Sequence, residues 1–161
     1  MLAAWLGAAV YFSVVVAPSA FGVVRSFALT NTGEVAGAIV SRTLSTINKS
    51  GALLSLLLLL TTLSVRNFYK RTLFILQNIL LGIIVVATAI GEWVIAPKMV
   101  ALRSLMRGQI DQTPLSDPAH IAFMALHRYS VAALGVAMIA ALLALILMVF
   151  ARHNPDATFA E

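Results

Sequence analysis

Long apolar stretches alternate in this chain with short segments that hold nearly all of its charge. A helix needs about 20 consecutive apolar residues to cross the hydrocarbon core of a bilayer. Hydrophobic residues make up 61% of the 161 positions and charged residues only 11%, whereas soluble domains carry about a quarter charged residues. The sequence therefore predicts an all-α integral membrane bundle, with residues 1–153 as one transmembrane domain and residues 154–161 as a polar, disordered tail.

The composition also excludes several classes of function. The absence of Cys excludes disulfides, thiolate metal sites and cysteine redox chemistry. The formal net charge of +5 lies beside the apolar stretches, so membrane lipid is an expected partner and nucleic acid is not. The sequence carries none of the common signatures of metalloproteases, hydrolases, P-loop proteins or dinucleotide-binding enzymes. We therefore expect the protein not to be an enzyme.

The first of four predicted spans covers residues 2–24 and ends at Arg25. It lacks the basic start of a secretory signal, and a cut after Ala20 would leave Pro18 where a small residue is needed. The span is therefore expected to be retained. Pro18 is expected to kink its last turns, because proline cannot donate to the carbonyl four residues back.

The second span is predicted to be the end of a longer helix. Asn31 followed by Glu34 resembles a capping box and predicts a helix start near Thr32. Apolar residues then recur at roughly helical spacing as far as Ile47, which indicates an amphipathic helix at the membrane surface. The apolar run over 51–65 is short for a span, so one long helix is expected to carry both parts.

Residues 66–71 contain three cations and an aromatic pair, and they predict a tight turn between the second and third spans. The third span is predicted over 72–96, with Pro97 marking its end. A short helix is expected after it, within a polar connection. The fourth span is predicted over 121–150.

Four spans must alternate in direction, which assigns each connection to one membrane face. The start of the first span, the 66–71 turn and the C-terminal tail share one face, here called side A. The 25–48 segment, the 97–120 connection and the start of the fourth span share the opposite face, side B. Topology alone therefore predicts which polar side chains emerge together.

The candidate polar cluster lies at side B. Glu92 is about one turn from the side-B end of the third span, and His127 and Ser130 share one helix face near the start of the fourth. The candidate cations for an ion pair with Glu92 are Lys98, Arg103 and Arg128. The cluster could relay a proton or hold a cation, but ion pairs that only fix helix ends are the commoner arrangement near an interface.

No metal or cofactor is expected. His120 lies seven residues before His127, around an entry that contains proline, and His153 lies on the opposite face. One chain therefore offers a haem or a metal ion a single imidazole. The methionines are not closely spaced, and methionine in a membrane helix usually serves packing.

Aromatic and basic residues predict how the chain sits in the membrane. Trp5 and Trp93 lie near opposite ends of their spans and are predicted interface anchors. The basic residues near span ends on side A are Arg66, Lys70, Arg71 and Arg152. Those on side B are Arg25, Arg42, Lys49, Lys98, Arg103, Arg107 and Arg128. The excess on side B predicts that this side is cytoplasmic, in a bacterial inner membrane or another cell membrane.

Three segments resemble one known family. The first-span segment is Trp5-x-Gly7 with Tyr11, Phe12, Pro18 and Phe21. The third-span segment is Gly91-Glu92-Trp93-Val94-Ile95-Ala96-Pro97-Lys98 with Ala101-Leu102-Arg103. The fourth-span segment is Phe123-x-x-x-His127-x-x-Ser130. In this order they resemble the uncharacterised four-span membrane proteins related to animal transmembrane protein 205, grouped as domain of unknown function 4149.

The resemblance implies a four-helix membrane fold and brings no established activity, substrate or cofactor. It also implies that Glu92, Pro97, His127 and Ser130 matter to the family. Members usually carry a few residues before the first span, whereas this chain begins inside it, so the resemblance predicts a longer N-terminus.

Two functions remain open from the sequence. The first is a non-enzymatic helical component that packs with itself or with a larger membrane complex. The second is a small transporter or channel for a proton, a metal ion or another small solute, with Glu92 and His127 as its polar site.

Overall fold

The computed structural model describes residues 1–27, 31–64, 71–106 and 110–153. Across these residues the secondary structure is helical, without strands. Four helices are long and apolar enough to cross a membrane, namely Leu2–Ser26, Thr32–Ser64, Arg71–Leu105 and Pro118–Phe150. The predicted all-α fold with four long apolar helices is therefore confirmed. The predicted tail, and the predicted 66–71 turn apart from Arg71, lie outside the described residues.

The first long helix changes its hydrogen bonding just before Pro18. It consists of helix α1 (Leu2–Tyr11), a π-helical segment (Phe12–Val16) and helix α2 (Ala17–Ser26). The backbone N–H of Ala17 donates to the carbonyl of Phe12, five residues back. Such single π turns occur inside α-helices and are one cause of helix bends. A π turn thus lies directly before Pro18, and the kink expected at this proline stays a prediction.

Helix α3 (Thr32–Ser64) is one continuous helix of 33 residues. It begins where the Asn31–Glu34 pattern predicted, with Glu34 in the first turn, where a carboxylate interacts favourably with the helix dipole. The amphipathic segment and the second span therefore share one helix, as predicted. At 1.5 Å per residue this helix is about 50 Å long, well beyond the hydrocarbon thickness of a bilayer.

The third long helix does not end at Pro97, so that prediction was wrong. Helix α4 (Arg71–Ala89) passes through a second π segment (Ile90–Ile95) into helix α5 (Ala96–Leu105) without a break. The N–H of Ala96 donates to the carbonyl of Gly91, five residues back. Pro97 then falls in the first turn of α5, where its missing N–H interrupts no regular bond. The short helix expected after the third span is α5, a direct continuation of it.

Helix α6 (Pro118–His153) begins three residues earlier than predicted, because a local cap starts it. Asp117 Oδ1 accepts hydrogen bonds from the backbone N–H groups of Ala119 (2.7 Å) and His120 (3.4 Å). Pro118 supplies the fixed φ angle of a first helical residue. A short 3₁₀ turn at Ile110–Gln112 precedes this cap.

The core lies where α1, α3, α4 and α6 meet, and Trp5 sets the register of the first helix within it. The Trp5 indole N–H donates to the backbone carbonyl of Ile47 at 3.0 Å. Its ring lies over Gly51, where an added Cβ would come within 2.7 Å of the ring. The first helix therefore starts level with the middle of α3, and α2 also packs against α3.

This register corrects two predictions made from the sequence. The start of the first helix does not lie level with the side-A ends of α3 and α4. Trp5 is 6% exposed and is part of the core, so it does not occupy an aromatic belt at the membrane surface. The position of Trp5 near the end of its helix suggested a surface anchor, but the sequence does not show that its ring packs on Gly51 of another helix.

Candidate functional site

A cleft of about 500 Å³ with both polar and apolar side chains in its lining opens at the side-B end of the bundle, between α3, the second π segment with α5, and α6. Four members of the predicted cluster line it, namely Glu92, Arg103, His127 and Ser130. Lys98 is exposed and is not part of this lining. The structure therefore brings the carboxylate, the imidazole and the hydroxyl to one site.

Glu92 is held by helix α3. Its Oε1 accepts a hydrogen bond from the Ser45 hydroxyl at 2.7 Å and lies 3.0 Å from Lys49 Nζ. The cation that pairs with Glu92 is therefore Lys49, whereas the sequence suggested Lys98, Arg103 or Arg128. The Glu92 side chain is only 10% exposed, and its Oε2 is buried without a hydrogen-bond partner among the described residues.

Both contacts of Oε1 hold Glu92 to α3. Ser45 donates a hydrogen bond to a nearly buried carboxylate, and a hydrogen bond to a charged group contributes about 1.5–3 kcal/mol. The Lys49 side chain is 61% exposed, so water screens its attraction to the carboxylate. Ser45 and Lys49 together connect α3 to the second π segment.

Close packing beside Glu92 explains how its carboxylate reaches α3. Gly91 is buried against Asn48, and a Cβ at Gly91 would come within 2.9 Å of Asn48 Nδ2. The absence of a side chain at this position lets the two helices approach closely. The next residue, Glu92, then lies within hydrogen-bond distance of Ser45.

Arg103 crosses the outer part of the cleft. Its guanidinium carbon lies 5.8 Å from the centroid of the Phe123 ring, within the range of a cation–π contact. Its Nε lies 4.0 Å from Glu34 Oε1 and makes no hydrogen bond to any residue that the structure describes. A Cβ at Gly37 would come within 2.8 Å of its Nη2, so the guanidinium lies directly on the backbone of α3.

The two polar residues from α6 occupy different environments. Ser130 is 7% exposed, whereas His127 is exposed at the mouth of the cleft. The carboxylate of Glu92 bonds to Ser45 and Lys49 rather than to this imidazole. His120 is buried outside the cleft, with Nδ1 3.2 Å from the Thr113 carbonyl, and helps to fold the connection before α6.

Three residues of the site were not found by sequence reasoning, namely Glu34 as a partner of Arg103, and Ser45 and Lys49 as partners of Glu92. Ser45 and Lys49 are separated by four positions, so they lie on one face of α3. The sequence shows that spacing. It does not show how α3 is rotated relative to the third helix, and this rotation decides whether the face with Ser45 and Lys49 meets Glu92.

A second polar region lies towards side A. The Thr62 hydroxyl lies 3.0 Å from Asn78 Oδ1 and connects α3 to α4. Gln77 is 7% exposed, and neither atom of its amide has a hydrogen-bond partner among the described residues. A cavity of about 30 Å³ adjoins these side chains, which is room for one water molecule.

Within the described residues, no group of three or more His, Asp or Glu side chains could hold a metal ion. Trp93 follows Glu92 and is 61% exposed. Its position is that of the predicted interface anchor, and the anchoring itself stays a prediction.

Four long apolar helices that meet at a polar cleft are typical of a multi-pass membrane protein. The family described as a domain of unknown function (DUF4149) matches residues 1–107, and the chain belongs to this family. The matched residues include α1 to α5, whereas Phe123, His127 and Ser130 lie beyond them. No curated protein and no solved structure matches the chain.

Proposed function

We propose that the protein is a non-enzymatic helical component of a membrane, which packs with copies of itself or with subunits of a larger membrane complex. The observation that carries this proposal is the filled interior between the two polar regions. A conduit needs a polar path that joins them, whereas a packing component needs none.

Mostly apolar side chains occupy the layer between the side-B cleft and the Gln77 region. Its fully buried apolar residues are Leu81, Ile84, Ala137, Ala141 and Ala144, each 0% exposed. Ser55 of α3 is also 0% exposed, and its hydroxyl has no hydrogen-bond partner among the described residues. Thr88 adds a hydroxyl, but it donates to the Ile84 carbonyl of its own helix at 2.7 Å. Along α4 the layer spans about 20 Å. The small alanine side chains let α6 approach α4 closely, which favours stable packing over a lumen.

An apolar groove between α4 and α6 supports association with another helix. Its volume is about 490 Å³, and small residues such as Gly82, Ala87 and Ala133 contribute to its lining. Apart from the nearby backbone of its own helix, no atom of the described residues lies within 4 Å of the position that a Cβ at Gly82 would take. Small residues that leave such space are typical of the surfaces at which membrane helices associate.

The test is the association state of the full chain, purified in mild detergent and measured by native mass spectrometry. We expect a homo-oligomer or a stoichiometric partner subunit. Gly82→Leu fills the groove and is expected to reduce the associated fraction at unchanged thermal stability. Gly135→Leu is the matched control, because Gly135 also has open space but does not line the groove. A monomer without partner that Gly82→Leu leaves unchanged would contradict the proposal.

A second candidate function, transport of a proton, a metal ion or a small solute, is favoured by one observation. Glu92 Oε2 is buried beside the cleft and has no hydrogen-bond partner in the described segments, as expected of a carboxylate that exchanges a proton or cation. Under this alternative, Glu92→Gln and His127→Ala abolish flux in liposomes while expression and thermal stability remain intact. Loss of folding without a specific loss of flux favours the packing role.

A further inference from the structure

Helix lengths place the cleft at the depth expected of lipid headgroups. Glu92 follows Arg71, at the side-A start of α4, by a helical length of roughly 30 Å, which is about the hydrocarbon thickness of a bilayer. Ser130 and Phe150 are separated by a similar length of α6. Trp93, next to Glu92, is exposed on the bundle surface. Exposed tryptophans of membrane helices are enriched at the edge of the hydrocarbon region.

Two residues of opposite charge that line the cleft each carry one unsatisfied atom. Glu92 Oε2 is a buried acceptor without a donor among the described residues, on a side chain that is nine-tenths buried. Arg103 Nε is a buried donor that lies 4.0 Å from Glu34 Oε1, beyond hydrogen-bond distance, and has no other acceptor in the described part of the chain. Arg42 also lines the cleft and adds a second guanidinium. A buried polar atom that is left without a hydrogen-bond partner is destabilising, so Glu92 Oε2 and Arg103 Nε favour a ligand that completes them.

The remaining lining is suited to an apolar chain attached to such a ligand. Val40, Leu44, Met99 and Val100 contribute apolar surface to the same cleft. Val100 is 66% exposed, so this surface continues to the outside of the bundle. The volume of about 500 Å³ lies within the range of small-molecule sites.

We propose that this cleft binds a zwitterionic phosphoethanolamine group, with its primary ammonium donating to Glu92 Oε2 and its phosphate facing Arg103 and Arg42. Guanidinium groups bind phosphate through paired N–H donors. A primary ammonium carries three N–H donors, whereas the trimethylammonium of a choline headgroup has none to offer Glu92. The site is therefore selective for ethanolamine over choline. This inference goes beyond the proposed function and does not depend on it.

Two sources supply the same chemistry, a phospholipid headgroup and the free phosphoethanolamine molecule. The apolar lining and the depth of the cleft favour the lipid. Thermal unfolding of the full chain in detergent distinguishes them, with phosphatidylethanolamine, phosphatidylcholine of identical acyl chains, or free phosphoethanolamine added. Stabilisation by the lipid alone assigns a lipid site, and stabilisation by the free molecule as well assigns the soluble source.

Binding of the two lipids is then compared by native mass spectrometry. We expect the ethanolamine lipid to bind about tenfold more tightly than the choline lipid, the effect of one added hydrogen bond to a charged group. Glu92→Gln is expected to bring the two affinities together, because the neutral amide no longer attracts the ammonium. Equal affinity of the two lipids in the wild-type protein would overturn the proposal.

A second variant keeps the test independent of the bond between Glu92 and Ser45. Val100→Trp narrows the apolar side of the cleft without touching the carboxylate, and it should weaken binding of the ethanolamine lipid. Val94→Trp is the control, because Val94 is also exposed on the same long helix but does not line the cleft. Equal binding by both tryptophan variants and the wild-type protein would place the lipid elsewhere and contradict the proposal.

Discussion

At the scale of single residues, contacts in this bundle depend on positions where one helix lacks a side chain. Gly51 receives the ring of Trp5, and Gly91 receives the amide of Asn48. The side chains that contact these two glycines differ in how far they can move. The Trp5 indole is fixed in the packed core, whereas the amide at the end of the Asn48 side chain can shift more easily. Gly51 is therefore the position where an added methyl group should cost most.

We expect Gly51→Ala to lower the thermal unfolding temperature in detergent. Alanine alone would favour a helix interior by up to about 1 kcal/mol, but overpacking a core costs about 1–3 kcal/mol. The added Cβ would come within 2.7 Å of the Trp5 ring, so the overpacking cost should dominate.

Gly135→Ala is the matched control, because a Cβ at Gly135 meets no atom within 4 Å. It should leave the unfolding temperature unchanged or raise it. If Gly51→Ala behaves like this control, the packing of Trp5 against α3 is not as described.

The sequence predicted correctly which residues lie at the same end of the bundle, because the alternation of the spans determines that. It did not predict which side chains contact each other, because that depends on how each helix is rotated about its axis. Alternating spans were enough to bring Glu92, His127 and Ser130 to one end of the bundle. The partner of Glu92 depends on which face of α3 turns towards it, and hydropathy carries no such information. For the same reason Trp5 was expected at the surface and lies in the core.

At the scale of helices, the same local pattern occurs twice. Each π segment is followed directly by an Ala-Pro pair, Ala17-Pro18 in the first long helix and Ala96-Pro97 in the third. The sequence predicts a kink at Pro18 and a helix end at Pro97, because proline lacks an N–H and collides with the preceding turn. A π turn before the proline removes this conflict, so both helices continue.

We expect Pro97→Ala to loosen the position of Glu92 relative to α3. With an N–H restored at residue 97, the second π segment can relax to regular α-helical bonding, which rotates the residues on either side of it. The chain contains no Cys, so the pair Asn48→Cys and Gly91→Cys can report this contact through disulfide formation in membranes.

The cysteine pair should cross-link rapidly in the otherwise wild-type chain and more slowly when Pro97→Ala is added. Asn48→Cys with Val94→Cys serves as the control, since Val94 is exposed and should not cross-link in either background. An unchanged rate for the first pair would show that the proline does not maintain the π turn.

At the scale of the whole molecule, three of the four long helices are longer than the roughly 40–45 Å of a bilayer with its headgroups. Their additional turns lie at side B. Thr32 to Ser45 in α3 adds roughly 20 Å beyond the level of Glu92, and α5 and the start of α6 accompany it. The sequence predicted the four helices because composition and length decide that question. Their relative offset follows from contacts such as Trp5 with Ile47, which no single-sequence pattern contains.

The distribution of Lys and Arg predicts that side B is cytoplasmic, so the C-terminus should lie on the opposite side. A C-terminal fusion to a reporter that is active only outside the cytoplasm should therefore be active. A second C-terminal fusion, to a reporter that is active only in the cytoplasm, should be inactive. The reverse pair of results would invert the orientation.

The apolar layer at Leu81 and Ile84 has an electrical consequence. Most of a transmembrane voltage falls across the material that excludes water and ions, and here that material is the side chains between the two polar regions. The side-B cleft lies outside this layer and so remains at nearly the potential of the solution it faces. A charged molecule that enters or leaves the cleft crosses almost none of the field, and its occupancy should not respond to membrane voltage.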